Sequence, residues 1–192
     1  MAINIDQVYR ILENKGTVKF NRNNIMNATT PKGMNDDRIV TYNYRMAKTT
    51  IGLTDITMNG TKDEASADAV YVEYEDAFAT VGAIDPPGII YSDSFAGCIF
   101  YVYRGGVDTV YGVHASKTTQ LEANPTDYFK RRGAQLLYKW ESRGRIPPGL
   151  FGSVLICVNE DILEIFGLAM RGNKVENILS RRQIADWRRY SG

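Results

Sequence analysis

Residues 98–114 read Cys98-Ile-Phe-Tyr-Val-Tyr-Arg-Gly-Gly-Val-Asp-Thr-Val-Tyr-Gly-Val-His114, an apolar run, a Gly-Gly turn and a second apolar run. Two apolar runs joined by a short glycine-containing loop predict a β-hairpin, here with strands at 98–104 and 109–115. The hairpin places one of the two cysteines and the only histidine of the chain on neighbouring strands. Any Cys–His chemistry in this protein therefore has to use His114.

The length of the hairpin loop determines whether the two side chains meet. A loop of residues 105–107 pairs Cys98 directly with His114, with Cβ atoms roughly 4.5–5.5 Å apart. A four-residue loop pairs Cys98 with Ala115 instead and turns His114 to the other face of the sheet, unless a β-bulge restores it. The sequence permits the first geometry without requiring it.

A thiol beside an imidazole is a candidate nucleophile, because a neighbouring base can hold it as thiolate. Ala96 and Gly97 are small and leave room for a substrate, and a glycine here lets backbone N–H groups face a forming oxyanion. The alternative is a buried structural cysteine and a histidine that only ends a strand. Cys157, inside the apolar run 154–158, is predicted to belong to the core.

The composition is that of an ordinary globular protein forming a single domain over residues 1–192, with 44% hydrophobic and 23% charged residues. Two cysteines are too few for a disulfide framework or a zinc ribbon, so we expect no metal and no cofactor. No apolar run is long enough for a membrane span, and no secretory signal stands at the N-terminus. We therefore expect the protein to act in a reducing cytosol, its maker's or that of a cell into which it is translocated.

Charge is unevenly distributed although the net charge is only +1. Residues 55–93 are acidic, and residues 181–189 carry four arginines. Either these are solvated faces or the acidic stretch helps to select a protein substrate. Four arginines without a stacking pattern are a weak footprint for nucleic acid, so we expect no nucleic-acid partner.

Strand patterns dominate the middle of the chain and helix patterns flank them. Helices are predicted at 5–14, 124–142 and 180–190, strands at 69–74, 153–159 and 163–170, and a polar loop at 21–37. Together these elements predict an α+β fold in which a layered, β-sandwich-like sheet core is flanked by helices. The loops carry no readable code for specificity.

The segment from Ser92 to Ser116 resembles the Cys–His glutamine deamidases, which include the chemoreceptor deamidase CheD, the catalytic domain of the cytotoxic necrotizing factors and the Burkholderia lethal factor. These proteins carry a Ser-Gly-Cys or Gly-Ser-Cys turn before an apolar strand, with the catalytic histidine at a later strand end. This chain has Ala96-Gly97-Cys98 and His114, so alanine replaces the usual serine. The family also tends to have a hydroxyl residue, usually threonine, six positions before the cysteine, where this chain has Ser92.

The resemblance implies packed β-layers flanked by helices and hydrolysis of a protein glutamine side chain to glutamate through a Cys thioester. It implies that Cys98 is the nucleophile, that His114 is the general acid and base, and that Ser92 or a backbone carbonyl orients the imidazole. Toxin members of the group modify host regulatory proteins such as Rho-family GTPases. We therefore expect a bacterial effector or toxin that acts on a host protein, and a housekeeping cytosolic enzyme fits the sequence equally. We also expect a monomer.

Two other classes remain open from the residues. A cysteine protease or a transglutaminase would use the same acyl-thioester, although papain-type enzymes place the cysteine at a helix start rather than before a strand. A non-catalytic interaction domain would keep Cys98 as a core residue.

Overall fold

The computed structural model describes residues 2–22, 40–106, 108–117 and 124–190. Strands make up 56% of the structure and helices 13%, so the fold is β-rich with few helices. The predicted loop at 21–37 lies outside the described residues except for Asn21 and Arg22. Within the described ranges, no helix has the length and apolar character needed to cross a membrane.

The elements follow one another along the chain as a mostly β succession. In order they are α1 (Ile5–Glu13), β1 (Thr17–Asn21), β2 (Val40–Tyr42), β3 (Tyr44–Ile51), β4 (Asp55–Gly60), a 3₁₀ turn (Glu64–Ser66), β5 (Ala69–Val72), β6 (Ala79–Ile84), β7 (Gly88–Phe95), β8 (Ile99–Gly105), β9 (Thr109–Ala115), α2 (Thr126–Arg131), β10 (Gln135–Glu141), β11 (Phe151–Val158), β12 (Ile162–Arg171), β13 (Lys174–Ala185) and a second 3₁₀ turn (Trp187–Arg189).

Eight of these strands form a closed barrel in the order β1-β13-β12-β11-β7-β5-β3-β4, which a parallel β4–β1 pair completes. Alternate side chains point into the barrel, as the pleat requires. Ala69 and Tyr71 of β5 belong to the interior cluster, while Val70 and Val72 face outward. The first helix, capped by the Asn4 side chain, packs Val8, Ile11 and Leu12 against the interior cluster.

A second sheet, ordered β10-β8-β9-β6-β2, covers part of the outer face of the barrel. One core cluster joins outward residues of β5, β7, β11 and β12 to residues of β8, β9 and β10. Gly112 of β9 makes a close approach possible, because a Cβ there would lie 2.8 Å from both Ile90 of the barrel and Phe100. The opposite face of the sheet packs against Tyr128 and Phe129 of α2.

The prediction of an α+β fold with a β-sheet core is confirmed at this coarse level, although the helices are fewer than expected, and the first helix and the strands at 69–74, 153–159 and 163–170 are confirmed as well. The two sheets do not make a clear sandwich, because one of them closes into a barrel. The predicted hairpin is also confirmed, as β8 and β9.

The other two predicted helices are largely wrong. In the segment 124–142 the helix ends at Arg131, Gly133 follows with φ of +72°, and β10 begins at Gln135. A bulge between Leu136 and Tyr138 lets Leu137 and Trp140 face the same core although they stand three residues apart, which imitates a helical pattern.

The segment 180–190 continues β13 as far as Ala185 and then forms one 3₁₀ turn. Strand pairing with β12 overrides the weak helical spacing of this segment. Ile184 and Trp187 are buried, as predicted, but from a strand and a turn rather than from one helix face.

Candidate functional site

The three residues singled out from the sequence lie together between the barrel and the second sheet. Ser92 stands on β7 and points outward from the barrel, while His114 stands on β9 and points toward the barrel. Cys98 immediately precedes β8 and belongs to the same apolar cluster as Phe100. The site is therefore built from both sheets, which close on each other around the imidazole.

The hairpin register differs from the predicted one by two residues. Phe100, not Cys98, pairs with His114, because the pairing runs on to Gly105 and Thr109. A shift of two keeps the side chains on their original face. Cys98 is thus the diagonal neighbour of His114 on the same face, and neither of the two registers that the sequence left open is the observed one.

A β-bulge in β7 places the ring of Phe95 against His114. Ser94 has φ of +66°, and the register against β11 shifts between the partners of Ser92 and Phe95. As a result Ser92 and Phe95 face the same side although they are three residues apart. The Phe95 ring stacks on the imidazole of His114 with centroids 3.9 Å apart and an interplanar angle of 12°.

The hydrogen bonds of Ser92 fix the tautomer of His114. The Ser92 hydroxyl donates to the carbonyl oxygen of Val72 at 2.9 Å and lies 2.8 Å from Nδ1 of His114. A hydroxyl has one proton to give, so satisfying all three atoms requires Nδ1–H to donate to Ser92 Oγ. Nε2 then carries the lone pair, which is the form a general base needs.

The imidazole is fully enclosed. His114 has no exposed surface, and burial lowers its pKa from 6.5 to about 3. Nε2 has no hydrogen-bond partner among the described residues. Tyr74, whose ring centroid lies 5.2 Å from that of His114, is 42% exposed and forms the solvent side of this enclosure. The structure therefore holds a neutral imidazole with an unused acceptor.

Cys98 reaches solvent through a pocket of about 260 Å³. The pocket is lined by Tyr74, Ser94, Ala96, Gly97, Cys98 and Lys117. The thiol residue itself is 7% exposed, so it lies at the inner wall of the pocket rather than on the surface. Ala96 and Gly97, the small residues that precede the cysteine, are both part of its wall.

The thiol is neutral in the resting structure. Burial raises the pKa of Cys98 and outweighs the backbone N–H groups of Lys117 and Ala96, which act in the opposite direction on that pKa. The unpartnered Nε2 shows that thiol and imidazole are not hydrogen-bonded to each other. The two groups therefore share one face without forming a thiolate–imidazolium pair.

Ser142, like Phe95 and Tyr74, is a residue of this site that the sequence did not mark. It follows β10, is 1% exposed, and its Oγ accepts from the N–H of Gly97 at 3.0 Å and donates to the carbonyl of Cys98 at 2.8 Å. The N–H of Gly97 is thus bound to Ser142. No sequence signal marked Ser142, because it fell at the end of the predicted helix 124–142.

The second cysteine serves the fold. Cys157 is fully buried in the barrel interior, which confirms it as a core residue, and burial raises the pKa of its thiol. Among the residues that the structure describes, no group of three or more potential metal ligands occurs.

Several residues of the acidic and the arginine-rich stretches form ion pairs within the fold. Glu73 binds Arg22 and Arg45 at 2.6 and 3.0 Å, and Arg181 pairs with the fully buried Glu164. These residues are thus committed to internal contacts, which favours a structural interpretation of their charge.

No protein-family model and no curated protein matches the chain. A function therefore has to be inferred from the residues and geometry of the site itself.

Proposed function

We propose that the chain is a Cys–His protein-glutamine deamidase, with Cys98 as nucleophile, His114 as general acid and base, and Ser92 as the group that orients the imidazole. One observation carries this proposal. Ser92 holds Nδ1–H of His114, so that Nε2, on the face shared with Cys98, keeps an unused lone pair in a buried site. A buried unpaired acceptor costs roughly 1–3 kcal/mol, and such a cost is accounted for if the atom serves in catalysis.

The first half of the reaction forms a thioester. A glutamine side chain enters the pocket, the thiol proton passes to Nε2, and Sγ of Cys98 attacks the carboxamide carbon. The N–H of Cys98 stabilises the oxyanion of the tetrahedral intermediate. Nε2 then returns its proton to the amide nitrogen, the C–N bond breaks, and ammonia leaves.

The second half consumes water. Nε2 accepts a proton from a water molecule that attacks the thioester carbon, the C–S bond breaks, and the thiol recovers its proton. The substrate leaves with a glutamate side chain where it had glutamine. Atoms balance without a cofactor, since one water enters for each ammonia released.

The resting charge states set a condition on this mechanism. Cys98 with a raised pKa and His114 with a lowered one are both neutral, so the proton has to move after the substrate has bound. Catalytic hydrogen bonds are often long in unliganded enzymes and tighten in the complex. The same pKa directions are also those of a structural thiol, which makes a non-catalytic interaction domain the second candidate.

The proposal extends to the setting of the reaction. The substrate is a protein, for the toxin type a host regulatory protein such as a GTPase, and the enzyme acts as a monomeric effector in the host cytosol. We also propose that the barrel and the second sheet that covers it correspond to the layered β core of the deamidases.

The test is a proteome-wide search for glutamine-to-glutamate conversion in eukaryotic cytosolic extract treated with the protein, read by peptide mass spectrometry and by ammonia release. Wild type is expected to convert specific glutamines, while Cys98→Ser and His114→Ala convert none. Cys157→Ser is the matched control and should retain activity, since its thiol lies inside the barrel.

The same extract distinguishes the alternatives. Incorporation of a labelled polyamine would identify a transglutaminase, and new peptide termini would identify a protease. Conversion that survives Cys98→Ser, or the absence of any wild-type modification in extracts of several cell types, would overturn the proposal.

A further inference from the structure

The turn that carries Cys98 is held by a residue that lies more than forty positions away in the sequence. Ser142 accepts a hydrogen bond from Gly97 and gives two to the carbonyl of Cys98, one from Oγ at 2.8 Å and one from its own N–H at 3.2 Å. Three bonds from one buried serine to two consecutive residues fix the orientation of the peptide groups around the nucleophile.

The turn needs these hydrogen bonds because its residues do not belong to a strand. Gly97 has φ of +147°, a conformation that side-chain-bearing residues rarely adopt, and Cys98 stands one residue before β8. Glycine there provides freedom, so something else has to define the geometry. Ser142 is itself fixed, since its carbonyl accepts from the N–H of Arg145 at 3.0 Å.

We infer that Ser142 is a positioning residue of the active site, which sets the orientation of the Cys98 backbone and thereby the surroundings of the thiol. The inference rests on the proposed function, in which the N–H of Cys98 is the oxyanion donor. Ser142 occupies the N–H of Gly97 and the carbonyl of Cys98, so neither of these groups is offered to a substrate, and the orientation of the Cys98 peptide follows from Ser142. The N–H of Ala96, next in the turn, remains beside the sulfur.

The probe is iodoacetamide, and the measurement is the rate of Cys98 alkylation against pH, followed by peptide mass spectrometry so that Cys157 is read separately. Ser142→Ala is expected to move the inflection of the rate–pH curve to higher pH. Without the hydrogen bonds of the Ser142 hydroxyl the turn no longer keeps the Ala96 N–H in position to donate to the thiolate. If the inflection rises by one pH unit, the alkylation rate of Cys98 at a pH below the inflection falls about tenfold. Ser142→Thr, which keeps the hydroxyl, is expected to keep the wild-type inflection.

Ser180→Ala is the matched control, because the Ser180 hydroxyl is buried and has no partner among the described residues. A merely structural role for Ser142 would loosen the turn, expose the thiol and accelerate alkylation at every pH without moving the inflection. That result would overturn the inference, as would a Ser142→Ala profile equal to wild type or a Ser142→Thr profile shifted as far as the alanine one. Because alkylation needs neither His114 nor a substrate, it reports on Ser142 even if glutamine conversion is not found.

Discussion

The Ser92 hydroxyl lies 2.8 Å from Nδ1 of His114, and this hydrogen bond joins the outer face of the barrel to the second sheet. Both residues are completely buried, so the bond exists only when the two sheets are packed together. The site is in this sense a product of the tertiary fold. Neither sheet could present the imidazole in a defined tautomer without the other.

The first prediction concerns that tautomer. His114 is the only histidine, so long-range ¹H–¹⁵N NMR correlations of the imidazole report on this site alone. At neutral pH we expect Nδ1 to be protonated and Nε2 to be unprotonated, because Ser92 gives its proton to Val72. A spectrum with Nε2–H as the main form would contradict the proposed role of Nε2 as base.

The second prediction concerns the hydroxyl of Ser92. Ser92→Ala removes the acceptor for Nδ1–H, so the ring loses its fixed orientation, and we expect glutamine conversion to fall about 10- to 100-fold, as on loss of other orienting partners. Ser92→Thr keeps the hydroxyl and is expected to retain most of the activity. Equal activity of the alanine variant and wild type, measured on the same extract, would show that Ser92 does not orient the ring.

The third prediction concerns stability at mildly acidic pH. The pKa of His114 is about 3 in the fold against an ordinary 6.5, so between these values the unfolded chain binds a proton that the folded chain does not. Stability from this group is therefore complete above pH 6.5 and is lost as the pH falls, by up to ~1.4 kcal/mol per unit.

The free energy of unfolding, measured in urea at about pH 7.5, about pH 6.5 and about pH 5.5, reports this loss. His114→Gln, which cannot be protonated in this range, is expected to lose less stability over the same interval. If the two proteins show the same pH dependence, the imidazole is not held neutral by burial.

The sequence allowed the hairpin around Cys98 to be predicted, but it did not allow the pairing register of the two strands to be predicted. Two apolar runs and a glycine turn are local signals, so the hairpin could be predicted, whereas the shared face of Cys98 and His114 depended on the length of the loop. The register depends on where the turn residues take positive φ, here Gly106, and a shift of two leaves the hydrophobic pattern unchanged. Pattern alone therefore could not distinguish direct from diagonal placement.

Contacts over long sequence separations account for the rest. The bulge in β10 gave Leu137 and Trp140 a helical spacing, and the strand that replaces the expected helix brings Ser142 to Gly97. Barrel closure depends on the parallel pairing of β1 with β4, for which no local residue pattern gives a signal. The contribution of Ser142 to the site follows from those same pairings, so it could not have been found without them.

The last prediction concerns the solvent side of the imidazole. Tyr74 lies between β5 and β6, contacts the His114 ring and is held by hydrogen bonds of its hydroxyl with Asp76 at 3.1 Å and Ser116 at 3.5 Å. Of the three side chains Tyr74, Ser92 and Phe95 that contact the imidazole, Tyr74 is the exposed one, since Ser92 and Phe95 have no exposed surface. Access to Nε2 from the pocket is therefore expected to depend on Tyr74.

Diethylpyrocarbonate tests this directly, because carbethoxylation of a single histidine can be followed by its ultraviolet absorbance. We expect slow modification of wild type and a rate at least about 10-fold higher for Tyr74→Ala, since reaction of a buried group is limited by local opening. Tyr74→Phe keeps the ring but loses the bonds to Asp76 and Ser116, so its rate should lie between the two. Leu53→Ala, a change at a side chain that is 92% exposed, serves as control and should react like wild type. Equal rates for Tyr74→Ala and wild type would mean that the imidazole is reached by another route, and the pocket beside Cys98 would then not be the entrance for substrate.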